Sequence, residues 1–157
     1  MNQAEFVTLY REHLPALSKY LVRRVERDLV EDLAADVLEI AWKKRDSAPK
    51  GMELAWLYRI AGFVLANHRR KQSNRGASWV IRDSDLVTPS AESIALKDLE
   101  LGEAFGSLSP ADRQILALFA IDGLSVRELA VSLGISPNTA SVRLKRARER
   151  LARALEN

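Results

Sequence analysis

The chain has 157 residues, of which 47% are hydrophobic, and it carries a formal net charge of +3. This apolar content excludes a wholly disordered protein, and the length suits one ordinary domain or two small ones. The absence of cysteine excludes disulfides, cysteine-ligated zinc and thiol catalysis.

Targeting and membrane segments are not predicted. Residues 1–10 include Glu5 and no long apolar run, which argues against a signal peptide. No stretch of about 18 apolar residues occurs, so we expect no membrane insertion. Together with the lack of cysteine, this pattern favours a cytoplasmic protein.

Three helices are predicted in the first half of the chain. Apolar residues recur at spacings of three and four over Phe6–Val25, and Pro15 is expected to kink this helix or divide it into two short ones. A second helix is predicted over 28–45, and Ser, Pro and Gly then break the pattern. The third predicted helix covers 53–71 and has a broad apolar face.

The helical pattern fades over residues 73–90, where Ser, Gly and Pro surround an isolated Trp79-Val80-Ile81. We interpret this segment as a flexible linker. Fully extended, it would reach roughly 60 Å at about 3.3–3.6 Å per residue. That is longer than one helical turn of DNA, about 34 Å. The three apolar residues could pack on either domain.

A second helical domain is predicted over 91–157. The apolar residues of Ile94–Phe105 predict one helix. Ser109-Pro110 begins the next, because Ser caps free N–H groups and Pro fits the first turn. No useful strand alternation appears. The predicted fold is therefore all-α, with two small helical domains, 1–72 and 91–157, joined by the linker.

Residues 125–148 have the order of a helix-turn-helix. Ser125 and Glu128 form a capping box, Gly134 permits the positive φ of a tight turn, and Ser136-Pro137 begins the second helix. Small and apolar residues recur on one side of that helix, as a buried stripe requires: Ala140, Leu144, Ala147 and Leu151. Such a second helix enters the major groove of DNA. The alternative is a plain two-helix hairpin, against which the basic, small-polar outer face argues.

Two separate groups of basic residues indicate two contacts with a polyanion. The first comprises Arg69, Arg70, Lys71, Arg75 and Arg82, and the second comprises Arg143, Lys145, Arg146, Arg148, Arg150 and Arg153. The alternative is that both groups are solvated helix ends, where cations favour the helix dipole.

No catalytic or metal-binding pattern is predicted. His13 and His68 are far apart in sequence, and neither has a metal-ligand spacing. No Gly-rich phosphate loop follows a strand. We therefore expect no catalytic residue, no metal and no cofactor.

Two series of motifs follow one another along the chain. The first half contains Glu31–Val37 with Ala41-Trp42, and then Ala55–Ala61. The second half contains Leu108–Leu116, Gly123-Leu124-Ser125, Leu129-Ala130, Leu133–Ser136, Thr139 and Arg143–Arg148. In this order they resemble the extracytoplasmic-function (ECF) group of the sigma-70 family. The resemblance spans about Phe6 to Leu155.

The resemblance implies a sigma factor that binds core RNA polymerase, recognises the minus-35 and minus-10 promoter elements, and initiates transcription. It implies core polymerase and promoter DNA as partners, with an anti-sigma factor as an expected regulator. It also implies that the two domains pack together in the free chain and hide their acidic and basic faces. A polymerase-binding and minus-10 domain (1–72) would precede a minus-35 domain (91–157).

The same resemblance assigns site residues. Facing the polymerase would be Asp32, Leu33, Asp36 and Val37. Contacting the minus-10 region would be Arg59, Asn67, Arg69, Arg70 and Lys71. Reading or holding the minus-35 region would be Ser136, Asn138, Thr139, Ser141, Val142, Arg143, Lys145, Arg146 and Arg148. The spacing of Asp32 and Asp36, one turn apart on one helix face, is compatible with meeting basic groups.

The chain departs from the family pattern at several positions. Phe63 stands where the family commonly has Asn, and the loop 46–53 has no aromatic residue. Ala140 and Val142 replace a usual Val and a small polar residue. The promoter sequence therefore cannot be transferred from relatives. Trp56 is expected in the core, with a base-stacking platform as the alternative.

Two other functions fit the helix-turn-helix. The chain could be a transcriptional regulator that binds DNA without polymerase, or an adaptor whose helix-turn-helix binds only protein. Binding to core polymerase separates the first rival from a sigma factor. The salt dependence of duplex binding tests the second, because phosphate contacts release counterions.

Overall fold

The computed structural model describes all residues from Met1 to Asn157 and contains helices, turns and loops without strands. The α-helices are α1 (Gln3–Val22), α2 (Val30–Lys43), α3 (Glu53–Gln72), α4 (Ala91–Ala95), α5 (Leu99–Gly106), α6 (Pro110–Leu116), α7 (Val126–Leu133) and α8 (Pro137–Glu156). Short 3-10 turns cover Arg27–Leu29, Arg45–Ser47 and Asp83–Asp85, and a π-helical turn covers Ala117–Ile121. The predicted all-α fold with two small helical domains is confirmed: α1–α3 form the first domain and α4–α8 the second.

Helix α1 runs unbroken through Pro15, so the expected division into two short helices is wrong. Buried residues on both sides of the proline, Phe6 before it and Leu17 and Leu21 after it, fix the helix against α2 and α3. Burial of each such side chain contributes about 1.5–3 kcal/mol relative to exposure, which offsets the hydrogen bond that proline cannot donate.

Helix α3 is the centre of the molecule. Its consecutive residues Ala55–Tyr58 are all buried, and four consecutive residues cannot share one face of a helix. The helix lies against α1 and α2 on one side and against α7 of the second domain on the other. Trp56 is 8% exposed, so the expected core position is confirmed and the ring cannot stack on a base in this conformation.

The second domain begins with two helices where one was predicted. A turn separates α4 from α5, and the Asp98 carboxylate caps α5 by accepting from the N–H of Leu101 at 3.0 Å. Leu96 and Leu99 suggested a continuous apolar face, but they are 89% and 66% exposed. The two helices fold back on each other at Gly102, where an added Cβ would lie 2.6 Å from that of Ala95.

The two domains share one hydrophobic core. A single cluster of 26 buried residues draws on α1, α2 and α3 and on the helices of the second domain. Across the junction, the buried Ser132 hydroxyl donates a 2.7 Å hydrogen bond to the carbonyl of Ala55. The expected packing of the domains on one another is therefore present in the chain alone.

Candidate nucleic-acid and polymerase interfaces

The helix-turn-helix has the predicted local structure. The Ser125 hydroxyl accepts from the N–H of Glu128 at 3.2 Å, and the Glu128 carboxylate accepts from the N–H of Ser125 at 3.0 Å. Gly134 ends α7 with φ +66°. Ser136 then caps α8 by accepting from the N–H of Thr139 at 3.1 Å. Local hydrogen bonds thus fix the start of both helices.

The outer face of α8 is open to solvent. Ala140, Leu144 and Ala147 are buried beneath it. All the residues predicted for the minus-35 contact are exposed: Ser136, Asn138, Thr139, Ser141, Val142, Arg143, Lys145, Arg146 and Arg148. The domain packing therefore leaves the predicted recognition surface uncovered, contrary to the expectation that the closed chain hides its basic face.

Two cations of the second basic group have intramolecular partners. Arg150 forms an ion pair with Asp112 at 3.0 Å, which joins α8 to α6. The Arg148 guanidinium lies 5.7 Å from the centre of the Phe119 ring, a cation–π distance. The cations of this group that remain freely presented on α8 are therefore Arg143, Lys145, Arg146 and, near its end, Arg153.

On α2, the predicted polymerase-binding set divides into two groups. Asp32 and Asp36 are exposed, whereas Leu33 and Val37 are 4% and 0% exposed. The side chains of Leu33 and Val37 lie in the core, so the expectation that they face the polymerase needs correction. Their packing fixes the helix that presents the two carboxylates.

The predicted minus-10 residues lie along α3, and one of them contacts the second domain. Arg59 is exposed, and its guanidinium atoms lie 2.8–2.9 Å from the position of a Cβ at Gly134. Any side chain at Gly134 would therefore displace Arg59. The packing covers part of the predicted minus-10 surface with the turn of the helix-turn-helix.

The linker engages three other predicted minus-10 residues. The Asn67 side-chain oxygen accepts from the N–H of Ser78 at 2.8 Å, and Arg69 donates to the carbonyl of Leu86 at 3.0 Å. Arg70 donates to the carbonyls of Arg75 and Gly76 at 3.1 and 3.0 Å. Lys71 remains exposed. The linker is thus more ordered than its composition predicts.

Asp85, which the sequence pattern did not single out, holds this arrangement. Its carboxylate is fully buried and lies 3.0 Å from Arg70 and 2.9 Å from Arg75. Burial raises the pKa of Asp85, but hydrogen bonds from the Arg82 backbone, Arg70 and Arg75 outweigh it and leave the pKa below its ordinary value. The first basic group is therefore partly neutralised from within the chain.

This contact predicts a pH-dependent linker. Because the folded pKa of Asp85 is depressed, its stabilisation is fully present above about pH 4, the ordinary aspartate value, and is lost as pH falls through the folded pKa. Asp85→Ala should lower the amide protection factors of residues 76–86 roughly tenfold at pH 7, because two arginines lose their partner. Hydrogen exchange with mass spectrometry between pH 7 and 3 measures this. The control is Asp83→Ala, an exposed acid of the same turn, and equal protection in both variants would contradict the assignment.

A buried ion pair joins the two domains. The Asp122 carboxylate, fully buried at the end of the π-helical turn, lies 2.6 Å from Arg24 and 3.1 Å from Arg23. The Arg24 guanidinium also lies 3.7 Å from the centre of the Tyr20 ring, which stacks on Tyr58 at 4.5 Å. Burial, reinforced by the Asp122 charge, raises the pKa of Tyr58 to about 12. Arg23 and Arg24 lie 99 and 98 positions from Asp122 in the sequence, so no sequence pattern predicted this contact.

Comparison with known proteins assigns the family. The Sigma-70 region 2 model matches residues 9–75, and the Sigma-70, region 4 model matches residues 98–151. The ECF RNA polymerase sigma factor SigF of Caulobacter vibrioides is 30% identical over 150 residues, which cover 91% of this chain and 83% of SigF. The chain belongs to the ECF group of the sigma-70 family. ECF sigma factors are transcription initiation factors, and this one is not an enzyme.

Other relatives match this ECF sigma factor along nearly its whole length. RNA polymerase sigma factor CarQ of Myxococcus xanthus is 29% identical, with 98% of this chain and 90% of CarQ covered. Sigma factor RpoE of Bartonella quintana, solved in complex with the anti-sigma factor NepR, has 27% identity and a TM-score of 0.63 over 97% of both chains. CnrH, solved with the cytosolic domain of CnrY, has 26% identity and a TM-score of 0.58, covering 99% of this chain and 90% of CnrH. None of the helices of this ECF sigma factor is long and apolar enough to cross a bilayer.

Proposed function

We propose that this ECF sigma factor binds core RNA polymerase, reads a minus-35 element with α8 and contacts a minus-10 element with α3. The observation that carries the proposal is the outer face of α8, where Arg143, Lys145 and Arg146 stand exposed beside Asn138 and Ser141. Such a face offers phosphate contacts and base-edge hydrogen bonds at once. The division into residues 1–72, 73–90 and 91–157 is part of the same proposal.

To perform this function, the chain must change from the closed arrangement to an open one. The turn at Gly134 touches Arg59 of α3, whereas two promoter elements more than one helical turn apart need separated domains. Release of residues 73–90 from α3 would provide roughly 60 Å of reach at about 3.3–3.6 Å per residue. We infer that polymerase binds the open form and thereby shifts the population toward it.

A protein regulator would act on the same equilibrium between the closed and open forms. RpoE and CnrH, the two similar solved structures, are each bound to a partner: the anti-sigma factor NepR and the cytosolic domain of CnrY. By analogy, we infer that an anti-sigma factor binds the closed form of this chain and holds it away from polymerase. A promoter-reading role also places the chain in the cytoplasm.

Run-off transcription with core polymerase and genomic fragments tests the proposed function directly. Transcripts that begin at defined sites and require the chain are the expected result, and they also identify the promoter. Specific binding to a promoter without polymerase, together with no affinity for core enzyme, would show a DNA-binding regulator instead. A duplex affinity that does not change with salt would point to an adaptor that binds only protein.

Removal of the two exposed carboxylates of α2 should weaken binding to core polymerase. Asp32→Asn with Asp36→Asn should weaken binding to core polymerase on the order of tenfold, because each exposed ion pair contributes up to about 1 kcal/mol. Binding of labelled core enzyme to the immobilised chain measures the effect. The control is Glu100→Gln with Glu103→Gln, two exposed acids on α5. An equal loss in both double variants would mean that net charge, and not the α2 surface, determines the affinity.

A further inference from the structure

A cleft of about 590 Å³ lies where the two domains and the end of the linker meet. Its volume is within the range of small-molecule sites, roughly 300–1,000 Å³. Residues at the ends of α1 and α3 line it together with residues of the late linker and of α4. We name it the junction cleft. Its polar lining includes Arg23, Glu26, His68, Arg69, Thr88 and Ser90.

Two arginines of the junction cleft retain unused hydrogen-bond donors. Arg23 donates only through Nη1, to the Asp122 carboxylate at 3.1 Å and to the carbonyl of Ile121 at 3.4 Å. Arg69 also donates only through Nη1, to the carbonyl of Leu86 at 3.0 Å. A guanidinium presents five N–H donors in a planar fork that matches the oxygens of a phosphate. The Nε and Nη2 groups of both arginines are therefore available to an anion.

Neutral polar groups of the junction cleft are also available. The Ser90 hydroxyl accepts from the N–H of Ser93 at 3.0 Å, so its own proton remains free to be donated. The Nε2 atom of His68 is buried without a hydrogen-bond partner. Such an atom is uncommon in folded proteins, because burial without a partner costs free energy. A ligand in the cleft would supply the missing partner.

The charge of the junction cleft is positive, with one opposing acid. Arg23 and Arg24 share the single carboxylate of Asp122, which leaves one positive charge in excess, and Arg69 adds another. Glu26 is the acidic residue of the lining and offsets one of these charges. The cleft therefore favours a small anion that lies against the arginines and away from Glu26.

We propose that the junction cleft binds a small phosphorylated metabolite. The phosphate oxygens accept hydrogen bonds from Arg23, Arg69 and the Ser90 hydroxyl. The organic part of the ligand lies against the apolar residues of the lining, which come from both sides of the junction: Val22, Val25, Leu29, Leu65 and Val87. This combination of an apolar lining with a few polar groups is typical of small-molecule sites.

The ligand would hold the chain in the closed form, because release of residues 73–90 from α3 removes Val87, Thr88 and Ser90 from the cleft. A ligand that binds only one of two forms shifts the population toward that form. It also occupies Arg69, which the proposed minus-10 contact requires. This consequence rests on the proposed function, whereas the binding site itself does not.

Calorimetric titration of the full chain with pyrophosphate, at constant ionic strength and without divalent cations, tests the site. We expect one saturable site. Arg69→Gln should weaken binding about tenfold, because a charge-assisted contact is lost. Arg69→Lys keeps the charge and should bind within about threefold of the unchanged chain. Glu26→Gln should instead tighten binding about threefold, since it removes the repelling carboxylate, and damage to the fold would not produce this gain.

The matched control is Arg27→Gln. Arg27 is exposed and follows the same end of α1, but it does not line the junction cleft. Because its charge is solvated and screened, its loss should change the affinity less than about twofold. Equal weakening in Arg69→Gln and Arg27→Gln would overturn the proposal, since net charge and not the cleft would then determine binding. Absence of saturable binding up to about 10 mM pyrophosphate would overturn it as well.

ADP and adenosine, titrated in the same way, identify the source of the phosphate group. Tighter binding of ADP than of pyrophosphate would identify a nucleotide, and weaker binding would identify a phosphorylated ligand without a nucleoside. Adenosine that binds as tightly as ADP would overturn the proposal, because the phosphates would then contribute nothing.

Hydrogen exchange tests the effect on the closed form. Saturating pyrophosphate should slow amide exchange over residues 76–90, because the ligand binds only when the linker is in place. Unchanged exchange at saturation would contradict the stabilisation of the closed form. Neither assay contains polymerase, so a failure of the cleft proposal is distinguishable from a failure of core binding or run-off transcription.

Discussion

The variant Asp122→Ala should shift the chain from the closed to the open arrangement. Asp122 and Arg24 are 0% and 2% exposed in their side chains, and removal of one partner from a buried pair costs about 3–5 kcal/mol because the other charge remains uncompensated. The cost falls on the closed form, since opening returns Arg23 and Arg24 to water. Each domain should retain its own helices, because most of the helix–helix packing lies within one domain.

Small-angle scattering measures this opening. A compact chain of this length has a radius of gyration of about 15 Å, and separated domains should raise it above about 20 Å. Far-ultraviolet circular dichroism should show unchanged helix content, which distinguishes opening from unfolding. The matched control is Asp83→Ala, which removes an exposed acid. An Asp122→Ala chain that stays compact with only a lower melting temperature would show that the apolar contact alone holds the domains together.

Opening should also affect the affinity for polymerase. If only the open form binds, the apparent affinity is the intrinsic affinity reduced by the open fraction. Asp122→Ala should therefore bind core polymerase more tightly than the unchanged chain. Weaker binding would mean that Asp122 itself belongs to the polymerase interface.

Replacement of Arg143, Lys145 and Arg146 by Ala should abolish minus-35 recognition and leave polymerase binding intact. Three contacts at about 1 kcal/mol or more each correspond to a loss of at least roughly 100-fold in affinity. If all three meet phosphates, the slope of log affinity against log salt should fall by about 3. Mobility-shift titrations of the holoenzyme on a promoter fragment found by run-off transcription measure both quantities.

The control for this triple variant removes the same charge elsewhere. Arg11, Lys19 and Arg27 are exposed residues of the first domain and not of α8, and their replacement by Ala should reduce DNA affinity only slightly. Similar losses in both triple variants would show that net charge, and not the α8 surface, drives binding. Loss of core binding in the α8 variant would contradict the division of roles between the domains.

Some local features of this fold could be predicted from the sequence because the residues that form them lie within three or four positions of one another. The capping box of Ser125 and Glu128 and the turn at Gly134 are of this kind. Asp98 is an N-cap residue and could have indicated the boundary between α4 and α5 in the same way. The apolar residues Leu96 and Leu99 on either side of it instead favoured one continuous helix. Apolar character alone did not show that both are exposed.

The contacts that join the domains and fix the linker depend on the tertiary fold. Asp85 meets Arg70 across 15 positions, and Asp122 meets Arg24 across 98. Neither acid has its partner nearby in the sequence, and the partner is determined only when α3 and α1 are in place. The position of Trp79 has the same origin, because its ring, 58% exposed, meets that of Phe63 edge to face at 5.5 Å where the linker crosses α3.

The packing of α3 between the first domain and α7 ties the open–closed equilibrium to temperature. Separation of the domains would bring apolar surface of α3 and α7 into water and so raise the heat capacity of the chain. Hydrophobic contacts weaken on cooling, whereas on heating the conformational entropy of the open form increasingly outweighs them. The closed form should therefore be most populated at an intermediate temperature, and cooling alone should release some of the chain into the open form.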